Sequence, residues 1–269
     1  MENLLASKKV FAYIPMITSR NNPFVKSVAA LKDKKGRREA RAFIVEGTKS
    51  VREAAACGCE ILHVVVSERY TGELFLPEKA ETVSAGVFEK LTDESSPQGI
   101  LAVVRMPEEE PAPPRGNSLL LDGIADPGNL GTILRTANAA GYEDIYLRGC
   151  ADPYSPKCVR ATMGGIFHVR LYGGDDALQG ALCGVPLICA DMEGEDIFSF
   201  APPRRFCLVI GNEANGVSEE VRRRCVYTVA VPMRGTCESL NAAVSAGILM
   251  YELGARAGAL PGMAEPAGA

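Results

Sequence analysis

Histidine is scarce in this chain of 269 residues, which holds only two, and its nine cysteines include no C-x-x-C pair. Zinc sites draw closely spaced Cys and His ligands, so this pattern argues against one and no metal is expected. An odd number of cysteines in apolar settings such as "PLICAD" and "RFCLVI" reads as buried, reduced thiols of a cytoplasmic protein. No apolar run reaches the length of a membrane span, so no membrane partner is expected. The opening "MENLLASKKVFAYIPMITSR" shows neither the h-region nor the small-residue cleavage site of a secretory signal. No two glycines lie two apart, which excludes the dinucleotide fingerprint G-x-G-x-x-G. The absence of G-K-[ST] likewise removes the P-loop. No Ser/His/Asp grouping is in view, and His168, in "GGIFHVR", reads as a packed core histidine.

The composition is that of an ordinary globular protein, 47% hydrophobic and 23% charged, long enough for one or two domains. Its net charge of -4 hides an asymmetry, because residues 1–56 hold 12 Lys and Arg against 5 Asp and Glu. A basic end on an acidic protein suggests a polyanionic partner met there, although a solvated basic helix has the same composition.

Periodicity divides the chain in two. Residues 24–35 read as a helix, "RAFIVEG" as a strand, and "TKSVREAAACG" as a helix closed by Gly58. Strand "ILHVVVS", a helix around "SAGVFEKLT" and strand "GILAVVRM" complete an alternating α/β domain over 18–105. The run "PEEEPAPPRGN" cannot pack a core and marks a linker, 106–117. Beyond it, over 118–253, strands are expected at "SLLLD", "DIYLRG", "PLICAD", "FCLVIG" and "YTVAVP", with helices between them. Continuous apolar strands alternating with helices predict a parallel sheet covered on both faces. The last helix, "SLNAAVSAGILMYELGAR", places Leu240, Val244, Ile248 and Tyr251 on one stripe, and residues 254–269 are expected to be a disordered tail.

Parallel sheets bind ligands at the carboxyl ends of their strands. Three segments fall there. "DPGNLGTILRTANAAG" is a turn and a helix expected to begin at Asn129, with Arg135 alone among Thr132, Thr136 and Ala139. "VIGNEANGVSEEV" carries Gly211, Glu213, Asn215 and Ser218; "VAVPMRGTCESLNAA" carries Ser239 and Asn241. Read singly, Asn129, Ser218 and Ser239 serve as helix N-caps, and Gly211 and Gly216 as turn residues. Converging, the loops would crowd Glu213, Asn215, Ser239 and Asn241 near Arg135 and Asn129.

Together the three segments resemble, in order and spacing, the signature motifs of the SpoU (TrmH-like) RNA ribose 2′-O-methyltransferases of the SPOUT superfamily. "DPYSPKCVRATMGGIF" is similar to another recurrent segment of that family. "ITSRNNPFVKSVAALKDKKGRREARAFIVEG" is similar to the L30e-like substrate-binding domain often fused to it. One departure is the Ala-Ala that follows Asn241, where family members often have Val-Ser.

The resemblance implies a parallel α/β sheet closed by a C-terminal deep trefoil knot, behind a smaller L30e-like α/β domain. It also implies a homodimer with active sites at the subunit interface. The implied cofactor is S-adenosylmethionine, with Gly211, Val231 and Leu240 lining the adenosine site and Met233 and Ser239 beside them. The implied reaction is in-line attack of a ribose 2′-OH on the sulfonium methyl. Arg135 is then the catalytic residue, with Asn129, Glu213, Ser239 and Asn241 positioning it and the substrate. A guanidinium holds its proton far above neutral pH, so orienting the oxygen and stabilising developing charge is the role expected of Arg135. Lys26, Lys32, Lys34, Lys35, Arg37, Arg38 and Arg41 are expected to meet RNA phosphates. Ribosomal RNA, 23S in particular, is favoured over transfer RNA, because the extra RNA-binding domain is commoner among ribosomal enzymes of the family. The alternative from another class is a catalytically silent RNA-binding module of the same fold, against which the retained Asn129, Arg135, Glu213, Ser239 and Asn241 argue.

Overall fold

The computed structural model describes residues 16–74, 76–108, 110–174, 180–236 and 239–258. The chain forms two compact units, residues 1–107 with 154–167, and residues 108–153 with 168–269.

The first unit opens with α1 (Pro23–Ala30), which Asn22 starts by accepting Phe24 N–H at 2.8 Å, with Pro23 in the first turn. The single helix expected over 24–35 is instead two, because a turn at Leu31–Asp33 separates α1 from α2 (Lys34–Ala40). At Gly36 a Cβ would lie 2.1 Å from the Ala30 carbonyl oxygen, so only glycine lets α2 come this close to the end of α1. Strand β1 (Ala42–Glu46), helix α3 (Thr48–Ala56) and strand β2 (Ile61–Ser67) follow as the periodicity predicts. The chain continues through β3 (Ala80–Val83), α4 (Ala85–Leu91) and β4 (Ile100–Arg105). The sheet order is β1-β4-β2-β3, with β4 antiparallel to both neighbours and β3 parallel to β2. Val25, Val28 and Leu31 join Val87, Phe88 and Leu91 over Ile44, Val65, Leu101 and Val103. Tyr154 brings its ring to 4.9 Å from Phe43, on the alternate face of β1. The segment that carries Tyr154 also forms α6 (Pro156–Thr162), which packs on β1 and so belongs to this unit, although in sequence it falls within 118–253.

The second unit contains β5 (Ser118–Asp122), α5 (Pro127–Ala139), β6 (Asp144–Arg148) and β7 (Arg170–Gly173). After these come β8 (Leu187–Asp196), β9 (Cys207–Gly211), α7 (Glu219–Arg222), β10 (Tyr227–Ala230) and α8 (Ala242–Arg256). The sheet is parallel throughout, in the order β10-β8-β9-β5-β6-β7. Central β5 is buried along its whole length, as a strand covered on both faces must be. One face packs Leu120, Tyr146, Leu187, Val209 and Val221. Helices α5 and α8 pack together, with Leu130, Ile133, Leu134 and Ala137 of α5 buried, and the Tyr142 hydroxyl donates to the Met250 carbonyl at 3.0 Å.

Several local expectations are corrected. Helix α5 starts at Pro127 with Asp126 as its cap, not at Asn129, because the Asp126 carboxylate accepts Asn129 N–H at 2.8 Å. Asn241, not Ser239, caps α8. That helix runs to Arg256, so no disordered tail begins at 254; residues 259–269 lie outside the described residues. His168 is exposed rather than packed in a core. The eight described cysteines are free thiols, but only Cys158, Cys189 and Cys207 are buried, and Cys57 and Cys183 are exposed.

Candidate active site

The carboxyl edge of the parallel sheet sets Arg148, Asp122 and Gly211 side by side, since β5 pairs Asp122 with both of the others. Asp122 is only 5% exposed, and its carboxylate accepts Ser218 N–H at 2.8 Å and the Arg148 guanidinium at 3.0 Å. Arg148 also donates to Ser218 Oγ at 3.0 Å and pairs with Glu220. These bonds fix the far end of the loop that leaves β9. Its near end is fixed by Asn212, whose amide donates to the Gly123 carbonyl at 2.8 Å and accepts Ala214 and Asn215 N–H, each at 3.0 Å. Reciprocal backbone bonds between Asn212 and Gly216 close the loop on itself. A Cβ at Gly211 would lie 2.2 Å from backbone atoms of Gly216 and Val217, so the fold-back requires glycine there.

Beside this loop lies a cavity of about 360 Å³, within the size range of small-molecule sites. Gly211, Glu213, Val231, Met233, Ser239 and Leu240 line it, as do Asp191, Asn215, Gly216 and Arg222. Glu213 ties the loops together. Its carboxylate accepts the Asn129 amide at 2.9 Å and Ala125 N–H at 3.4 Å. Asn129 in turn accepts the Asn241 amide at 3.0 Å, while Asn241 Oδ1 caps α8 through Ala243 and Val244 N–H. Burial pushes the Glu213 carboxyl up, but the Asn129 amide and the surrounding backbone N–H groups outweigh it and hold the group below its ordinary value.

A profile of the SpoU rRNA methylase family matches residues 116–251, and one of the MRM3-like substrate-binding domain matches residues 22–102. The chain belongs to the SpoU rRNA methylase family. It is 34% identical to RlmP of Bacillus subtilis (strain 168), a 23S rRNA (guanosine(2553)-2′-O)-methyltransferase, over 88% of this chain and 98% of that one. It is 31% identical to the 23S rRNA (uridine(2479)-2′-O)-methyltransferase of Streptomyces viridochromogenes, over 88% and 90%. Among solved structures, the AdoMet-bound rRNA methyltransferase of Sinorhizobium meliloti superposes with a TM-score of 0.80 at 29% identity, over 90% of this chain and 97% of that one.

In this SpoU-family chain, Asn129, Glu213 and Asn241 meet as the motifs imply, whereas Arg135 does not join them. It is exposed on α5, and among the described residues its guanidinium has no hydrogen-bond or ion-pair partner. The threonines around it bond their own helix instead: Thr132 to the Gly128 carbonyl and Thr136 to the Thr132 carbonyl, each at 2.8 Å. Ser239 lines the cavity without bonding Asn129 among the described residues.

In the first unit Lys26, Lys34, Lys35, Arg38 and Arg41 are exposed, but two of the side chains expected to meet RNA serve the fold. Arg37 is 3% exposed and donates to the Leu31 and Lys32 carbonyls at 2.8 and 2.7 Å, closing the turn between α1 and α2. Lys32 is held by Asp93 and the Thr92 carbonyl. Sequence reasoning missed Asp122, Arg148, Asp191 and Arg222; only position at the end of an expected strand pointed to the first three.

Proposed function

We propose that this chain transfers a methyl group from S-adenosylmethionine to a ribose 2′-OH of ribosomal RNA, 23S rRNA in particular. The observation that carries the reading is the Gly211 fold-back, where a glycine backbone is pressed against Gly216 and Val217 beside a cavity of cofactor size. Relatives that match this chain over nearly their whole length act on the ribose of 23S rRNA. Gly211, Val231, Met233 and Leu240 hold the adenosine. The cofactor supplies a methyl already activated by its sulfonium charge, so the protein's work is alignment and proton management. Arg135 orients the attacking oxygen and stabilises the charge that develops on it. Glu213, Asn129 and Asn241 lock the three loops in register, with Ser239 on the cavity wall.

Arg135 is exposed and is not among the residues lining the cavity, and this supports a homodimer in which it serves the partner's cofactor. The α8 stripe supports the same assembly, since Val244 is 51% and Tyr251 41% exposed. The trefoil knot of the family is supported by the position of β10, which lies beyond β8 at the sheet edge before α8 returns to pack on β9 and α5. No helix among the described residues is long and apolar enough to cross a membrane. A ribosomal substrate supports a cytoplasmic location. The deciding experiment pairs calorimetry with S-adenosylmethionine and mapping of ribose methylation across rRNA and tRNA in a deletion strain. Binding together with one lost 23S methylation is expected; a lost tRNA methylation, or none, overturns the assignment.

A further inference from the structure

The cavity lining also carries charge that methyl transfer as described does not use. Asp191 lies on β8 past Leu187–Cys189, the stretch paired with β9, and Arg222 ends α7. Their side chains form an ion pair, and both line the cavity with Gly211 and Leu240. The carboxylate is fixed from behind, because Asp191 Oδ1 accepts Glu193 N–H at 3.1 Å. Burial pushes Asp191 up, but the Glu193 N–H and Arg222 bring it below the ordinary aspartate value, so it is anionic near neutrality. The pair remains reachable, with Asp191 17% and Arg222 42% exposed at the side chain. A guanidinium has five N–H donors, and among the described residues Arg222 engages only Asp191. The remaining charged side chain of the described lining, Glu213, is committed to Asn129.

We propose that Asp191 and Arg222 form the subsite for the amino-acid end of the cofactor, which carries an α-ammonium beside an α-carboxylate. This rests on the reading of S-adenosylmethionine as cofactor. A fixed anion next to a cation with spare donors matches that zwitterion: the ammonium meets Asp191, and the carboxylate takes two N–H groups of Arg222. The adenosine part carries no charge and gains nothing from the pair. The two residues therefore set the preference for ligands that retain the amino acid over ligands truncated at sulfur.

The test is titration calorimetry of the full chain with S-adenosylhomocysteine and with 5′-methylthioadenosine, which keeps the adenosine and thioether but lacks the amino acid. Arg222→Met and the isosteric Asp191→Asn should each weaken S-adenosylhomocysteine about tenfold or more, as removal of a charge-assisted hydrogen bond does, and leave 5′-methylthioadenosine unchanged. Unchanged binding of the truncated ligand also reports that the pocket is still folded. Variants that bind S-adenosylhomocysteine like the parent overturn the subsite, and so do variants that lose both ligands equally, since the pair then only shapes the wall. A parent chain that binds neither ligand overturns the cofactor reading itself, and the subsite with it.

Discussion

Glu213 shows how one carboxylate can tie separate loops together. It holds Asn129 at 2.9 Å and is pulled below its ordinary value of 4.5, although burial works against this. A group whose folded value is depressed stabilises the native state fully above the unfolded value and loses that stabilisation as pH falls through the folded value. The parent should therefore be more stable than Glu213→Gln at pH 6 to 7, and the difference should vanish as the pH falls below the ordinary value of 4.5. Thermal unfolding of both proteins across that range measures it. A gap that persists unchanged in acid would show that the charge on Glu213 is not what ties Asn129. This carboxylate was legible in "GNEANG" as a candidate and Asn129 as its neighbour in the converging loops, but the bond between them was not. Asn129 reads from sequence as a cap, and only the packed loops show Asp126 taking that role and freeing the Asn129 amide.

At the scale of elements, α8 begins on a residue with two separable functions. Asn241 Oδ1 caps the helix, and its amide donates to Asn129. Asn241→Ala loses both and should cost about 1 kcal/mol of stability, the usual worth of a cap. Asn241→Asp keeps a capping oxygen and adds a charge that favours a helix N-terminus, but it has no donor for Asn129. It should unfold near the parent midpoint yet methylate poorly, and parent-like turnover would detach Asn129 from the chemistry. The basic helix α2 divides in the same way. Arg37 closes the turn between helices, whereas Lys34, Lys35, Arg38 and Arg41 are exposed. Neutralising those four should weaken RNA binding and lower the slope of log affinity against log salt by about 0.7–0.9 for each phosphate no longer neutralised. An unchanged slope would move the RNA interface elsewhere. Charge counting could find the cluster but not the buried arginine within it, because burial depends on Gly36 bringing α2 against α1.

In the whole molecule, the central strands were readable because a strand buried on both faces carries a continuous apolar run, as Leu119–Leu121 and Cys207–Ile210 do. Short β3, "AETV", and β7, "RLYG", are half polar and give no such signal. Strand order also escapes periodicity: nothing local says that β9 inserts between β5 and β8 or that Tyr154–Phe167 packs with the first unit. The position of Arg135 is the same kind of fact. It is not among the residues that line the cavity with Gly211 and Leu240, and the proposed dimer, in which it serves the partner's cavity, accounts for that. That arrangement predicts complementation between two dead chains. Arg135→Ala keeps a sound cofactor cavity, and Gly211→Val, whose Cβ meets backbone at 2.2 Å, keeps a sound arginine. Each alone should be inactive. In a mixture refolded or co-expressed at equal amounts, half the dimers are mixed, and each mixed dimer rebuilds one of its two sites. Activity should therefore return to about a quarter of the parent level, as two-fold symmetry requires. Methyl incorporation into rRNA measures it, with size-exclusion chromatography confirming dimers. If arginine and cavity instead serve the same chain, both sites of every dimer are broken and the mixture stays inactive.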